Sequence, residues 1–325
     1  MKAGVLHGPD DVPVYEDFDE PVAGEGSELV DLVASGIHHH TRGTATGRHY
    51  SQRGVFPVIP GNNAVARTAN GDLVFTGSGR PPYGTLAERI ASPDAMRFPL
   101  PAGAPAEAIA AGANPGMASW LPLTARLDMK GKLGLTVVLG ATGMSGYLAV
   151  QNARLLGAAR VIGAGRNPSG LERAATAGAE TVALTGDRDA DAEALDAAIG
   201  AEAPDLVLDF VWGPVAETAF SALSKRGTAG DDEDISYVQI GGLGGADATL
   251  PAPLLRSRKI SISGSGVGSV SPATLKARIP DYLKVLAGGS VQVPFRTFPL
   301  SDVSSAWTVS AETGPRVVVV PSRSG

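Results

Sequence analysis

The chain has 325 residues, 43% hydrophobic and 18% charged, with a formal net charge of −6. That length suggests about two domains with real cores, and the composition excludes a disordered chain. The absence of cysteine excludes disulfides, thiolate metal ligands and a cysteine nucleophile, and the lack of a long basic run argues against a nucleic-acid partner.

The N-terminus, MKAGVLHGPDD, lacks the apolar core of a signal peptide. No stretch approaches the roughly 18 apolar residues of a membrane helix, so the expectation is a cytoplasmic protein with no membrane partner. The next informative stretch is SGIHHHTRGTATGRHY, residues 35–50, which holds four of the five histidines. In an extended run neighbouring side chains alternate in direction, so the triplet His38-His39-His40 is a poor three-ligand metal site.

The strongest signal is LTVVLGATGMSGYLAVQNARLLGAARVIGAGRN, residues 135–167. Thr136 to Leu139 reads as a buried strand. Gly140, Gly143, Met144, Ser145 and Gly146 form a glycine-rich turn, and a helix runs on to about Leu156 with Gly146, Val150 and Ala153 on one small-residue face. Ala159 to Gly165 reads as a second strand. Strand, glycine turn, helix and strand within about 30 residues are the context of a dinucleotide fingerprint. Its spacing is GxxGxxG. The glycines permit a tight turn and close approach of a pyrophosphate to the positive end of the helix.

The second strand ends in Gly165-Arg166-Asn167. NAD sites usually place a carboxylate there for the ribose hydroxyls. Here none is present, and Arg166 can pair with a 2′-phosphate, so the expected cofactor is NADPH. Further strands are read at Thr181 to Leu184, Leu206 to Trp212, Ser236 to Gly242 and Lys259 to Gly264, with helices at Ala190 to Ile199 and Val215 to Lys225. Near-continuous apolar strands alternating with helices predict a Rossmann-type α/β fold, a doubly wound parallel sheet. Val211 and Trp212 end the fourth strand and Gly241-Gly242 the fifth, at the edge where such sheets meet a cofactor. The glycines of GSGVGS, Gly264 and Gly266 among them, allow backbone approach to a ligand.

The motif GATGMSG deep inside the chain, with HYSQRGVFPVIPG (49–61), GTLAERI (84–90), FPLSDVSSAW (298–307) and GPRVVVVP around it, resembles the medium-chain dehydrogenase/reductase superfamily. More narrowly it is similar to the zinc-independent quinone oxidoreductase branch. The resemblance implies a GroES-like β-barrel substrate domain from residues 1–122 and 266–325, with a nucleotide-binding domain at 123–265 inserted between them. It implies that His38 stands near the branch's pocket Asn and Tyr50 near its pocket tyrosine, both candidates for proton donation. Asn114, Met117 and Trp120 in NPGMASW match the crossover beside the nicotinamide, and Trp212 joins them as a substrate-pocket candidate. Zinc-dependent relatives place a His after the Pro-Gly; here Pro60-Gly61 is followed by Asn62, and the cysteine ligands are missing, so no metal is expected. The branch also implies a homodimer.

Without a Lewis acid, hydride transfer favours an acceptor activated by conjugation. The leading expectation is an NADPH-dependent reductase of a small-molecule quinone or α,β-unsaturated carbonyl. A carbonyl or imine reductase of specialised metabolism, and a non-catalytic NADPH-binding protein, stay open as alternatives.

Overall fold

The computed structural model describes all residues except 50–53, 78, 226–232, 267, 313 and 323–325. The chain divides into two compact units, Met1–Pro115 with Pro272–Gly325, and Gly116–Ser271. In chain order the elements are β1 (Lys2–Val5), β2 (Val14–Asp17), β3 (Ser27–Ile37), α1 (His39–Ala45), β4 (Asn63–Arg67), β5 (Leu73–Gly77), β6 (Arg89–Pro93) and β7 (Arg97–Pro99). Helix α2 (Ala106–Lys130) begins in the first unit and ends in the second. There follow β8 (Leu135–Leu139), α3 (Met144–Leu155), β9 (Arg160–Gly165), α4 (Pro168–Thr176), β10 (Glu180–Ala183), α5 (Arg188–Ile199), β11 (Leu206–Asp209), α6 (Pro214–Ser224), β12 (Ile235–Gln239), α7 (Ala252–Ser257) and β13 (Ile260–Gly264). The chain ends with α8 (Pro272–Ala287), β14 (Phe295–Pro299), α9 (Val303–Val309) and β15 (Arg316–Val320).

The first unit is built on a mixed sheet in the order β14-β15-β3-β4-β5-β7, with β6 also paired to β3. The long β3 organises it. Its Val30 and Leu32 pack with Ala64, Ala66, Val74 and Ile90 in one cluster, while its Ile37 packs with Val5, Val303, Trp307, Val317 and Val319 in another. The two ends of the chain therefore share one core: β15 pairs antiparallel to β3, with Val318 opposite Gly36.

The second unit is an all-parallel sheet in the order β10-β9-β8-β11-β12-β13. All five residues of β8 are buried. Leu135, Val137 and Leu139 face one apolar cluster and Val138 the other, which is why a strand covered by helices on both faces shows no polar alternation. The chain winds outward from β8 to β10 and then returns to β11 on the other side. Ligands of such sheets bind at this switch point, at the carboxyl ends of the strands. Among the described residues no helix is long and apolar enough to cross a membrane.

Candidate functional site

At the switch point the chain turns from β8 into α3. Gly140 adopts φ +86, and the N–H groups of Gly140 and Ala141 both donate to the Ala164 carbonyl, at 2.9 and 3.0 Å. The Gly143 N–H donates back to the Gly140 carbonyl at 3.1 Å. A Cβ on Gly146 would lie 2.2 Å from that same carbonyl, so glycine at 146 is demanded by packing of the helix on the turn. Gly143 is different: a Cβ there would meet only the Gly140 carbonyl, at an ordinary 3.6 Å. Gly143 is the N-cap of α3 and brings no capping side chain. The first N–H groups of a helix have no intrahelical partner, and here they belong to Met144, Ser145 and Gly146. Such an end is an anion site by backbone donors and dipole together.

Next to it, Gly165 closes β9 because Thr142 leaves no room for a side chain; a Cβ would come 2.5 Å from Thr142 Cγ2. Arg166 is exposed. Asn167 is committed to capping α4: its Oδ1 accepts from the Gly170 N–H and the Ser169 hydroxyl, each at 2.8 Å. Arg173, which nothing in the fingerprint singles out, extends its Nη2 from α4 to the Thr142 carbonyl at 3.4 Å. It thus places a second cation beside the glycine turn.

The turn after β11 is held by a buried carboxylate. Asp209 Oδ1 accepts from the N–H groups of Val211 and Trp212 at 2.8 and 2.9 Å, and Oδ2 accepts from the Tyr237 hydroxyl at 2.6 Å. Burial pushes the Asp209 carboxyl above the usual range against these hydrogen bonds, and burial beside Asp209 pushes the Tyr237 phenol well up. Trp212 is the one non-glycine residue with positive φ among those described, at +62. Its ring meets Phe220 and Tyr237 edge-on, at centroid distances of 6.1 and 6.4 Å, so this expected substrate-pocket residue packs on the unit's own core. Val211 lies against Gly140, where a Cβ would come 2.7 Å from its Cγ2. Gly241 permits the β12 turn to close on the Phe210 carbonyl, which a Cβ would approach to 2.4 Å. Gly242, Gly264 and Gly266 are exposed, and the Gly266 N–H donates to Ser269 Oγ at 2.7 Å.

In the first unit the histidine triplet is not an extended run. It enters a helix: His38 is the N-cap of α1, and His39 and His40 are its first residues. His38, expected on a pocket wall, is an interior side chain with 2% exposure, with the Ala110 carbonyl and the Asn63 side chain facing its ring. Burial and the nearby Arg316 and His40 hold its pKa well below the usual imidazole value, so it is neutral. It sits over Gly36, whose added Cβ would meet His38 Nε2 at 2.6 Å and the Ala110 carbonyl at 2.3 Å. His39 is exposed. His40 meets the His49 ring edge-on at 4.7 Å and is pushed down to about 4 by burial and by His49. Tyr50 lies outside the described residues. Asn114 and Met117 are half-buried on α2, and Trp120 is buried, at 6% exposure. A residue not anticipated from sequence, the buried Asn152 of α3, donates to the Gly116 carbonyl and Ser119 Oγ, tying α3 to α2 at this crossover.

A cavity of about 240 Å³ opens in the first unit, with Thr44, Ala45, Ile59, Pro60, Asn62 and Tyr83 in its lining. Backbone crossing backbone makes its floor: a Cβ on Gly84 would lie 2.1 Å from the Ile59 carbonyl, and Gly61, at φ +122, crowds Thr85. Asn62 Oδ1 accepts from Thr44 Oγ1 at 3.2 Å. His38 does not line this cavity.

Comparison with known proteins places this geometry. A family model described as zinc-binding dehydrogenase matches residues 146–287. A probable NADPH-dependent quinone reductase, tdiC of Emericella nidulans, is 34% identical over 228 residues, 66% of this chain and 61% of that protein. The match thus spans under two thirds of that relative's length. The quinone oxidoreductase of Thermus thermophilus, solved alone and with NADPH, is 26% identical, covers 98% of this chain and 100% of its own, and superposes with a TM-score of 0.74. In sequence and fold this chain is similar to the quinone-oxidoreductase-like medium-chain dehydrogenases/reductases. A probable oxidoreductase from Mycobacterium abscessus has the same fold at 22% identity and TM-score 0.77, covering 99% of both chains.

For a medium-chain dehydrogenase/reductase, the donor set is a poor match to catalytic zinc. The chain has no cysteine, an amide at Asn62 follows Pro60-Gly61, and among the described residues no group of three or more His, Asp or Glu is placed to hold a metal ion. The residues do suit a dinucleotide. Gly143 leaves a side chain's worth of room at the α3 N-terminus, Arg173 reaches the Thr142 carbonyl in the turn before it, and Arg166 is exposed at the end of β9.

Proposed function

We propose that this chain is an NADPH-dependent reductase of quinones or α,β-unsaturated carbonyls and uses no zinc. NADPH, when bound, supplies the hydride. The observation that carries the reading is the uncapped, glycine-lined N-terminus of α3 at the switch point, next to a β9 end with no carboxylate and an exposed Arg166. The N–H groups of Met144, Ser145 and Gly146 bind the pyrophosphate, and Val211 and Gly241 bring the neighbouring turns close to it. Arg166 pairs with the 2′-phosphate, with Arg173 as a second cation. The names of the relative tdiC and of the Thermus enzyme, each with NADPH, support the same cofactor.

With no cysteine in the chain and no zinc ligand set among the described residues, the reading favours acceptors that need no Lewis acid, those already polarised by conjugation. The first unit is read as the GroES-like substrate domain and the second as the nucleotide domain. The test is NADPH oxidation with a panel of quinones, enones, aldehydes and imines, followed by product identification. Turnover confined to aldehydes or imines would replace the quinone and enone reading. NADPH binding with no turnover on any acceptor would leave a binding protein.

A further inference from the structure

We propose that Asn62 is the group that recognises the acceptor's carbonyl, and that the cavity it lines selects uncharged acceptors of one or two fused rings. The inference rests on the reductase reading and narrows its substrate class. The cavity holds about 240 Å³, below the range typical of drug-sized ligands, so a large acceptor does not enter whole. Among the described residues its lining contains no carboxylate, lysine, arginine or histidine, and the polar side chains are Thr44, Asn62 and Tyr83. An ionised acceptor buried here would lose its hydration with no opposite charge to replace it.

The amide of Asn62 is held against Thr44 of α1. Its oxygen lies 3.2 Å from the Thr44 hydroxyl, which is also within reach of the His40 carbonyl at 2.9 Å. The single Thr44 proton goes to the His40 carbonyl or to Asn62 Oδ1, and in either amide orientation at least one of the two Asn62 N–H groups is left to donate, which is what a carbonyl oxygen gaining charge during hydride addition requires. Gly61 and Gly84 keep the backbone close enough to form the floor under this amide. The side chain is half-buried, so the NH₂ is reachable while the hydrogen bond it forms is sheltered from water.

The experiment compares 1,4-naphthoquinone with a naphthoquinone bearing a carboxylate, in the full chain and in Asn62→Ala and Asn62→Asp. Asp keeps an acceptor for Thr44 and removes the donor. The expected results are at least a tenfold preference in kcat/KM for the uncharged quinone, a loss of about three- to tenfold in Asn62→Ala, matching one neutral hydrogen bond, and a larger loss in Asn62→Asp. NADPH affinity, read by cofactor fluorescence, should stay within about twofold in both variants, and the melting midpoint should hold. Asn62→Gln, with the same amide on a longer arm, tests placement and should recover only part of the rate. Equal turnover of both quinones, or unchanged kcat/KM in Asn62→Asp, overturns the inference while leaving the reductase reading intact. Failure of every acceptor to oxidise NADPH overturns the reductase reading instead. In that case, binding of 1,4-naphthoquinone to the unmodified chain but not to Asn62→Asp, read by thermal shift, would still uphold recognition by Asn62, and equal binding would overturn it.

Discussion

Arg166 follows β9 and Arg173 lies within α4, and on the proposed reading the preference for NADPH depends on them. A charge-assisted hydrogen bond is worth about 1.5–3 kcal/mol, or roughly a tenfold to hundredfold preference. NADPH should therefore bind at least about tenfold tighter than NADH. Arg166→Ala should remove most of that gap and Arg173→Ala a smaller part, because Arg173 also spends a donor on the Thr142 carbonyl. Equal dissociation constants for the two cofactors in the unmodified chain would refute this. Arg166 was legible in sequence because it directly follows the second strand. Arg173 was not, since its proximity to Thr142 comes from the winding of α4. His38 marks the opposite case, in which chemistry suggested by residue type is altered by burial. Its folded-state pKa lies below the unfolded value of about 6.5, because burial and Arg316 disfavour the charged ring. The unfolded chain then takes up a proton as pH falls below 6.5 while the folded chain does not. The stability His38 contributes is complete above pH 6.5 and is lost as the pH falls. His40, pushed to about 4, acts in the same direction. The melting midpoint should drop between pH 7 and pH 5, and His38→Gln should make that drop shallower. An unchanged slope would mean that His38 takes up its proton in the folded state and is open to acid–base work after all.

Elements that bury two faces announced themselves in the sequence, and those held by backbone geometry did not. β8 could be read from Thr136 to Leu139 because every residue in it is buried. Helix α1 could not, because its buried residues are Thr41, Thr44 and Ala45, a polar and small set with no apolar period. Asp209 was hidden for a related reason. It ends the apolar strand β11, and its two backbone acceptances create the turn that carries Trp212 at positive φ. The β8–α3 turn allows a sharper test, because its glycines serve different ends. Gly146→Ala puts a methyl 2.2 Å from the Gly140 carbonyl. Overpacking of this kind costs about 1–3 kcal/mol, so a lower melting midpoint and weaker NADPH binding should appear together. Gly143→Ala meets nothing closer than 3.6 Å, at a φ of −82 that alanine adopts freely. It should leave the melting midpoint nearly unchanged and weaken NADPH binding about tenfold or more. If Gly143→Ala bound NADPH normally, the pyrophosphate would have to lie elsewhere than over the α3 N-terminus.

For the whole molecule, the alternation of strands and helices after residue 135 was enough to predict a parallel sheet. The return of the C-terminal residues to the first sheet was visible only through family resemblance, since Val317 to Val319 could pair with many partners and pair with β3. The sheet of the second unit then raises the matter of its edges. An edge strand presents unpaired N–H and C=O groups, which proteins cover or defend with charge. At one edge, β10 carries Glu180, held by Arg160 Nε and Nη2 at 3.0 and 2.6 Å, a fixed ion pair that discourages strand addition. At the other edge β13 has no such defence. Ile260 and Ile262 pack against the unit's own core, while Ser261 and Ser263 are exposed, leaving a regular, uncharged ladder. A second copy of the chain can add there about a two-fold axis, joining two six-stranded sheets into one. Light scattering at micromolar concentration should then give about twice the 33.0 kDa of one chain. Ser261→Lys with Ser263→Lys places like charges opposite one another across that axis and should shift the population toward monomer without lowering NADPH affinity. A mass of one chain, unchanged on concentration, would refute the dimer; a dimer that withstands both lysines would mean that copies join through another surface.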